Sequence, residues 1–326
     1  MIRFIALGTG ATFPTENRNH PSFYFEYKGI GILFDCGENT QRQFRIAKLS
    51  PTKLRYILIT HWHGDHVLGL PGLLFNLANL EYNKRLGIIL PKGYKDRLLE
   101  LIKIYEIPID YDLDIIEVEK DGIVIDEKEF YINAMYVKHS VPTLAYYFKQ
   151  KDYWRLYNSK LKEYGLYGKH GLLTHLKEKN EIEYRGKKIK IEEVGYIKKG
   201  FKFTYITDTL YFNRLIDFAR DSDILVIEST YIGDPEKAKE HFHMDFSEAY
   251  KVFKNSNSNI MLVTHVSQRY EEYLDTIEQR VQTYDGVYLI RDFDKFWFEK
   301  NIITLELQGK TVKYLRDEKS GKNIKI

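Results

Sequence analysis

Three observations in this sequence predict an α/β fold. Short apolar runs of strand length alternate with helix-like stretches along most of the chain. Three of those runs finish alike, on a threonine followed by a side chain that can hold a metal. One segment, residues 149–200, breaks the alternation and reads as an insertion within a single unit spanning residues 1–326.

The elements follow in order. Arg3 to Leu7 reads as a strand closed by Gly8-Thr9-Gly10. No helical pattern follows and Pro14 breaks the next turn, so this is not a dinucleotide-binding turn. Phe23–Tyr27 and Ile30–Phe34, joined by Lys28-Gly29, read as a hairpin, and a helix opens near Thr40. A strand at Tyr56–Ile59 precedes the richest motif of the chain, and a helix is predicted over Leu73–Leu80 after Leu70-Pro71-Gly72. A buried strand at Leu86–Leu90 precedes a helix from Gly93 to Tyr105. Strand signals recur at 114–118, 122–125, 129–138 and 145–149. Beyond the insertion, strands at 203–207, 224–227 and 260–264 alternate with helices at 212–220, 245–255 and 272–284. Strands near 287–290 and 295–298 and a hairpin over 302–315 complete the pattern.

Bulk properties narrow the class. The 326 residues are 44% hydrophobic and 29% charged, which fits a globular protein with a sizeable core. The longest weakly polar stretch, Leu68–Leu80, is too short to span a bilayer, so no membrane partner is expected. The N-terminus shows no secretory leader and Cys36 is the one cysteine, so a cytoplasmic, reducing location is expected. The formal charge of +3 hides an asymmetry. Residues 149–202 hold 15 Lys/Arg against 7 Asp/Glu, a net +8, and the remainder is at −5. Tyr153, Trp154, Tyr157, Tyr164 and Tyr167 are interleaved with those lysines, as on a surface that meets an anionic partner.

The chemistry centres on His61-Trp62-His63-Gly64-Asp65-His66, four metal-competent side chains directly after a strand. Three strand ends add His139, Asp208 and His265, making seven candidates: five histidines and two aspartates. A single catalytic zinc takes about three protein ligands and a water, so seven fit two ions only if one carboxylate is shared. Asp208, alone at its strand end, is the natural bridge.

These residues resemble the metallo-β-lactamase superfamily, and within it the ribonuclease Z family of tRNA 3′-processing endonucleases. The resemblance rests on Leu7-Gly8-Thr9-Gly10, Phe34-Asp35-Cys36-Gly37-Glu38, the histidine motif running into Gly69-Leu70-Pro71-Gly72-Leu73, and Thr264-His265-Val266-Ser267 before Arg269-Tyr270. It covers roughly residues 1–300. It implies an αββα sandwich with the metal site at one edge of two packed sheets. It further implies two Zn²⁺ ions, one on His61, His63 and His139, the other on Asp65, His66 and His265, with Asp208 between them. It assigns Asp65 as proton acceptor and Glu228 with His243 to the leaving group, His241 being two positions away from His243. The substrate implied is precursor tRNA held by the 149–200 arm, and the assembly a homodimer. Two departures stand out: Gly165-Leu166-Tyr167-Gly168 replaces a Gly-Pro pair common in such arms, and Ile227 stands where a histidine is frequent. The rival activity on the same site is hydrolysis of small or cyclic nucleotide diesters, which needs no basic arm.

Overall fold

The computed structural model describes residues 1–326. Two sheets pack face to face. One has ten strands, running from the C-terminal Asn323–Lys325 through Ile2–Gly8, Ser22–Tyr27, Ile30–Phe34 and Leu54–Leu58 to Leu113–Val118 at the other edge. The second has seven, in the spatial order Val287–Leu289, Ile260–Thr264, Ile224–Glu228, Lys202–Ile206, Thr143–Gln150, Phe130–Val137 and Gly122–Asp126.

Side-chain alternation explains the layering. Along Ser22–Tyr27, Phe23 and Phe25 point between the sheets while Tyr24 points to the opposite side. Phe25 and Phe34 meet Phe203 of the second sheet at ring-centre distances of 5.1 and 5.2 Å, and Phe23 meets Tyr205 at 5.3 Å. Full burial of each such ring contributes about 2 kcal/mol, so these contacts glue the layers. The outer face of the first sheet is covered by helices Thr40–Ile46, Leu70–Asn79 and Lys95–Ile104. That of the second is covered by Arg214–Ala219, Phe246–Asn255 and Leu274–Val281. The result is helix, sheet, sheet, helix, the expected αββα sandwich. No helix is long and apolar enough to cross a membrane.

Several elements differ from the sequence expectation. The helix at Leu70–Asn79 takes Pro71 into its first turn, where the missing N–H costs nothing. The stretch read as a helix from 272 to 284 is a 3₁₀ segment, Gln268–Tyr273, followed by Leu274–Val281. A single helical turn, Gly64–Val67, lies inside the histidine motif. Helix Pro235–Glu240 and strand Asn323–Lys325 had no recognised signal.

The insertion leaves the body on a two-strand stalk, Tyr153–Leu156 paired antiparallel with Gly195–Lys198. Beyond it, three helices and the hairpin of Glu181–Tyr184 and Lys187–Lys190 enclose their own small core, built on Leu161, Leu166, Leu176, Ile182, Ile189, Ile191 and Val194. Trp154 and Tyr164 pack against that core, whereas Tyr153, Tyr157 and Tyr167 are exposed.

The C-terminal turn braces the stalk. Glu318 accepts hydrogen bonds from Arg155 at 2.6 Å and Lys198 at 2.8 Å, and from Tyr196 and Asn301. Its backbone carbonyl accepts from Lys199 N at 2.9 Å. One carboxylate thus ties both stalk strands to the body. Glu318→Ala is expected to leave most of the global stability in place, costing about 1–3 kcal/mol, since the carboxylate is largely buried and satisfies the buried Lys198 among its donors. It should nevertheless speed amide exchange in residues 153–156 and 195–198, which hydrogen–deuterium exchange would measure.

Candidate metal centre

Strand direction brings the candidate residues to one edge. Lys202–Ile206, Ile224–Glu228 and Ile260–Thr264 run parallel, with Ile206 opposite Ile227 and Glu228 opposite Thr264. Their C-terminal ends therefore deliver Asp208, Glu228 and His265 together. In the other sheet Phe34 pairs in parallel with Leu58, setting Asp35 beside Thr60 and His61. The hairpin between Phe130–Val137 and Thr143–Gln150 adds His139 from its loop. Three of these residues carry left-handed backbone: Asp35 (φ 56°), Asp208 (φ 32°) and His265 (φ 57°). Such φ values are uncommon outside glycine, and they turn each side chain sharply off its strand toward a common point.

All seven expected residues converge. His61 Nε2 lies 3.0 Å from His63 Nδ1, and His139 Nε2 lies 3.3 Å from the same atom. Asp208 Oδ2 faces this trio at 3.6 Å from His61 and 3.8 Å from His139. Its other oxygen, Oδ1, faces a second group, 3.5 Å from His66 Nε2 and 3.2 Å from His265 Nε2. Asp65 Oδ2 completes that group at 3.4 Å from His66 and 3.6 Å from His265. His243 also comes within reach of Asp208 and His265.

The imidazole rings are oriented by their rear nitrogens. The carbonyl of Phe242 can only accept, so His139 Nδ1 donates to it at 3.0 Å. His66 Nδ1 donates to Asp35 at 2.9 Å, and His61 Nδ1 to Thr60 Oγ1 at 3.0 Å, which itself donates to Asp35. His265 Nδ1 donates to Thr230 Oγ1 at 2.8 Å, and the Thr230 hydroxyl donates to Glu228 at 2.6 Å. The Nε2 atoms of these four rings are aimed inward, as lone pairs wherever the imidazole is neutral. The Nε2 atoms of His66 and His265 are buried with no hydrogen-bond partner, an arrangement that a metal ion satisfies. Nitrogen and carboxylate donors of this kind suit zinc.

Electrostatics agrees. Burial, the largest effect, pushes His61, His63 and His139 below the usual imidazole range, so they are neutral and able to ligate. Burial also opposes a charge on His66, but the carboxylates of Asp65, Asp208 and Asp35 outweigh it and hold His66 well above that range. Burial would raise Asp65 and Asp208; the surrounding histidines overcome it and keep both low. The carboxylates thus demand positive charge at this spot, which a divalent ion supplies better than a proton.

Glu228 is fully buried and accepts from Thr209 N at 2.8 Å, Thr230 N at 3.1 Å and His243 Nδ1 at 3.1 Å. His243, and not His241, is the histidine set against it; His241 stacks on Tyr231 at the rim. A cleft of about 540 Å³ opens over the site, lined by Phe13, Leu68, Tyr231, His243 and Arg269.

Asp35 and Thr230, which sequence reasoning did not single out, hold side chains of the candidate site in place. Asp35, quoted there only as part of a motif, accepts from Thr60 N (2.8 Å), His66 Nδ1 (2.9 Å) and the Tyr205 hydroxyl (2.8 Å). Position after a strand was a weak signal; the partners come from two distant stretches, residues 60–66 and strand Lys202–Ile206. Asp35→Ala would strand these buried donors, so a loss of about 3 kcal/mol or more is expected in urea unfolding. Metal affinity should fall about 10- to 100-fold in a competitive titration.

Together the sandwich and the edge cluster of histidines and aspartates define a metallo-β-lactamase-fold enzyme. A family model described as a beta-lactamase superfamily domain matches residues 163–266, and one described as anti-Pycsar protein Apyc1 matches residues 2–102. The chain is similar to a ribonuclease Z of Nanoarchaeum equitans, 43% identical over 91% of this chain and 93% of that protein. A ribonuclease Z of Methanococcus maripaludis is 35% identical over 96% of this chain and all of its own length. The crystal structure of the short form of human tRNase Z shares the fold, with a TM-score of 0.68 at 21% identity over 91% of this chain and 99% of that one. The chain belongs to the ribonuclease Z family.

Proposed function

We propose that this protein is a two-zinc endoribonuclease that cuts the 3′ trailer from precursor tRNA. It would leave a 3′-hydroxyl on the tRNA and a 5′-phosphate on the trailer. The observation that carries this reading is the two-sided Asp208, whose oxygens face separate ligand groups. The relatives named ribonuclease Z and the basic arm support the choice of RNA.

One zinc would be held by His61, His63 and His139, the other by Asp65, His66 and His265, with Asp208 shared. When bound, such a pair would supply an acidified water and positive charge for the phosphoryl group. Asp65, at the cleft floor, accepts the proton of the attacking water. His243 Nε2 donates a proton to the departing ribose 3′-oxygen on the opposite side of the phosphorus. Glu228 holds His243 through Nδ1 and keeps it charged: burial alone would lower its pKa, but Glu228 raises it to about 9. Thr230, bonded to Glu228 and His265, fixes the spacing between the acid and the metal ligands.

The arm would grip the tRNA body by salt-dependent phosphate contacts, with exposed Tyr153, Tyr157 and Tyr167 available for stacking. A homodimer is proposed on family grounds, and a cytoplasmic location on the buried, unpaired Cys36. The test is a cleavage map on a precursor tRNA, with end-group analysis, beside turnover of a small phosphodiester. Replacing 158–191 by a short turn should weaken precursor binding by about 10²-fold while sparing the small diester. Equal loss of both activities would sink the separate grip. A chain that hydrolyses cyclic nucleotides but not precursor tRNA would sink the main reading.

A further inference from the structure

A second charged cavity lies at the other end of the same sheet. It holds about 370 Å³ and sits where the arm joins the body, between the roots of the stalk and the C-terminal turn. Lys202 begins the strand that leads to Asp208, so the six intervening steps put it about 20 Å from the metal centre. None of its lining residues belongs to that centre.

Its charge is unbalanced. Lys149, Lys199, Lys202, Arg220, Arg316 and Lys322 line it, against Asp152 and Asp221. Behind the wall Asp223 pairs with Arg316 and Asp217 with Arg220, which still leaves a surplus of two positive charges. Asp152 is shared by Lys149 and Lys199, each at 3.1 Å. Three cations thus lack a carboxylate of their own, one of the Lys149/Lys199 pair together with the Lys202 and Lys322 ammonium groups, and Asp221, bonded to Asn257, offsets one of the three charges. Lys202 Nζ donates to the carbonyls of Phe218 and Arg220, both at 2.8 Å, and lies 4.5 Å from the centre of the Tyr147 ring. Lys322 Nζ donates to the backbone and side-chain oxygens of Asn257. Each ammonium has a third N–H to offer. Burial, with Lys149 close by, lowers the pKa of Lys202 to about 8, and the nearby carboxylates of Asp221 and Asp223 offset only part of that.

We propose that this cavity is a binding site for a phosphate-bearing dianion, with Lys202 and Lys322 as its two charged donors. The volume exceeds that of a lone phosphate and admits a diphosphate or a nucleotide phosphate. The same chemistry could reach the site from a free phosphorylated molecule or from the backbone of a bound RNA. The assignment does not depend on what the metal centre cleaves.

The experiment uses the full-length chain, stripped of metal by a chelator and dialysed, with inorganic pyrophosphate as probe in a calorimetric titration. Binding is expected, and Lys202→Met combined with Lys322→Ala should weaken it at least about tenfold, since two charge-assisted hydrogen bonds are lost. Lys322→Ala alone, on an exposed turn that cannot compromise folding, should weaken it by a smaller factor. Absence of pyrophosphate binding by the unmodified chain, or equal binding by both variants, would overturn the proposal. A second measurement separates the sources. If RNA backbone occupies the site, the double variant lowers the slope of log affinity for precursor tRNA against log salt by about two. If the occupant is a free phosphorylated molecule, that slope stays unchanged while pyrophosphate affinity drops.

Discussion

Asp208→Ala is expected to remove metal from both halves of the centre and to lower turnover by at least about 10⁴-fold. The reason is geometric. One oxygen lies within 3.8 Å of His61 and His139, and the other within 3.5 Å of His66 and His265. Removing the carboxylate deprives both groups of a ligand at once and takes away a negative charge that helps to hold the cations. Metal analysis should show fewer than two ions per chain, with both sites weakened. Retention of two tightly held ions would show that Asp208 does not bridge. Asp208→Asn is the more delicate variant, since it keeps the shape and one oxygen donor; it should hold one ion better than the other.

For His243→Ala the expectation is the reverse: metal content persists while cleavage of precursor tRNA falls by about 10²- to 10⁴-fold, the usual worth of a positioned general acid. A ribose 3′-oxygen is a poor leaving group and needs the proton, whereas a nitrophenolate does not. Hydrolysis of a nitrophenyl diester should therefore be much less affected, and that contrast separates proton donation from a structural role. The pH profile adds a second check. An acid works while protonated, so activity that depends on His243 declines as pH rises through its folded pKa, near 9 from the protein's own groups. Two bound cations would move that decline to lower pH. Glu228→Gln removes the charge that supports the proton and should shift it further in the same direction. If His243→Ala cut both substrates equally, the leaving-group role would be wrong.

Much of the centre was legible in the sequence because strands have a readable end. An apolar run that stops at Thr-His or Thr-Asp announces a polar side chain leaving a sheet, and parallel strands all end at one edge. His61, Asp208 and His265 were found that way, and His139 by the same logic in an antiparallel hairpin. The helical turn Gly64–Val67 was not legible, since four residues are too few to show a period, yet it is what turns Asp65 and His66 into the second group. Thr230 was invisible for a different reason. Its role consists of contacts to Glu228, His243 and His265, and the two histidines lie 13 and 35 positions away in the chain.

The sequence by itself determined the class of fold, the seven candidate ligands, the count that points to two metals, and the basic insertion. These depend on residue type, local period and composition, which are written along the chain. Only the tertiary structure decided which oxygen of Asp208 faces which group, that His243 rather than His241 meets Glu228, and that Trp154 and Tyr164 are packing residues of the arm. It alone showed that the C-terminal turn clamps the stalk and that six cations surround a cavity at its root. Those facts arise from side chains brought together from separate stretches of the chain, 15 positions apart for Glu228 and His243 and more than a hundred for Glu318 and Lys198, and no local pattern encodes such a meeting.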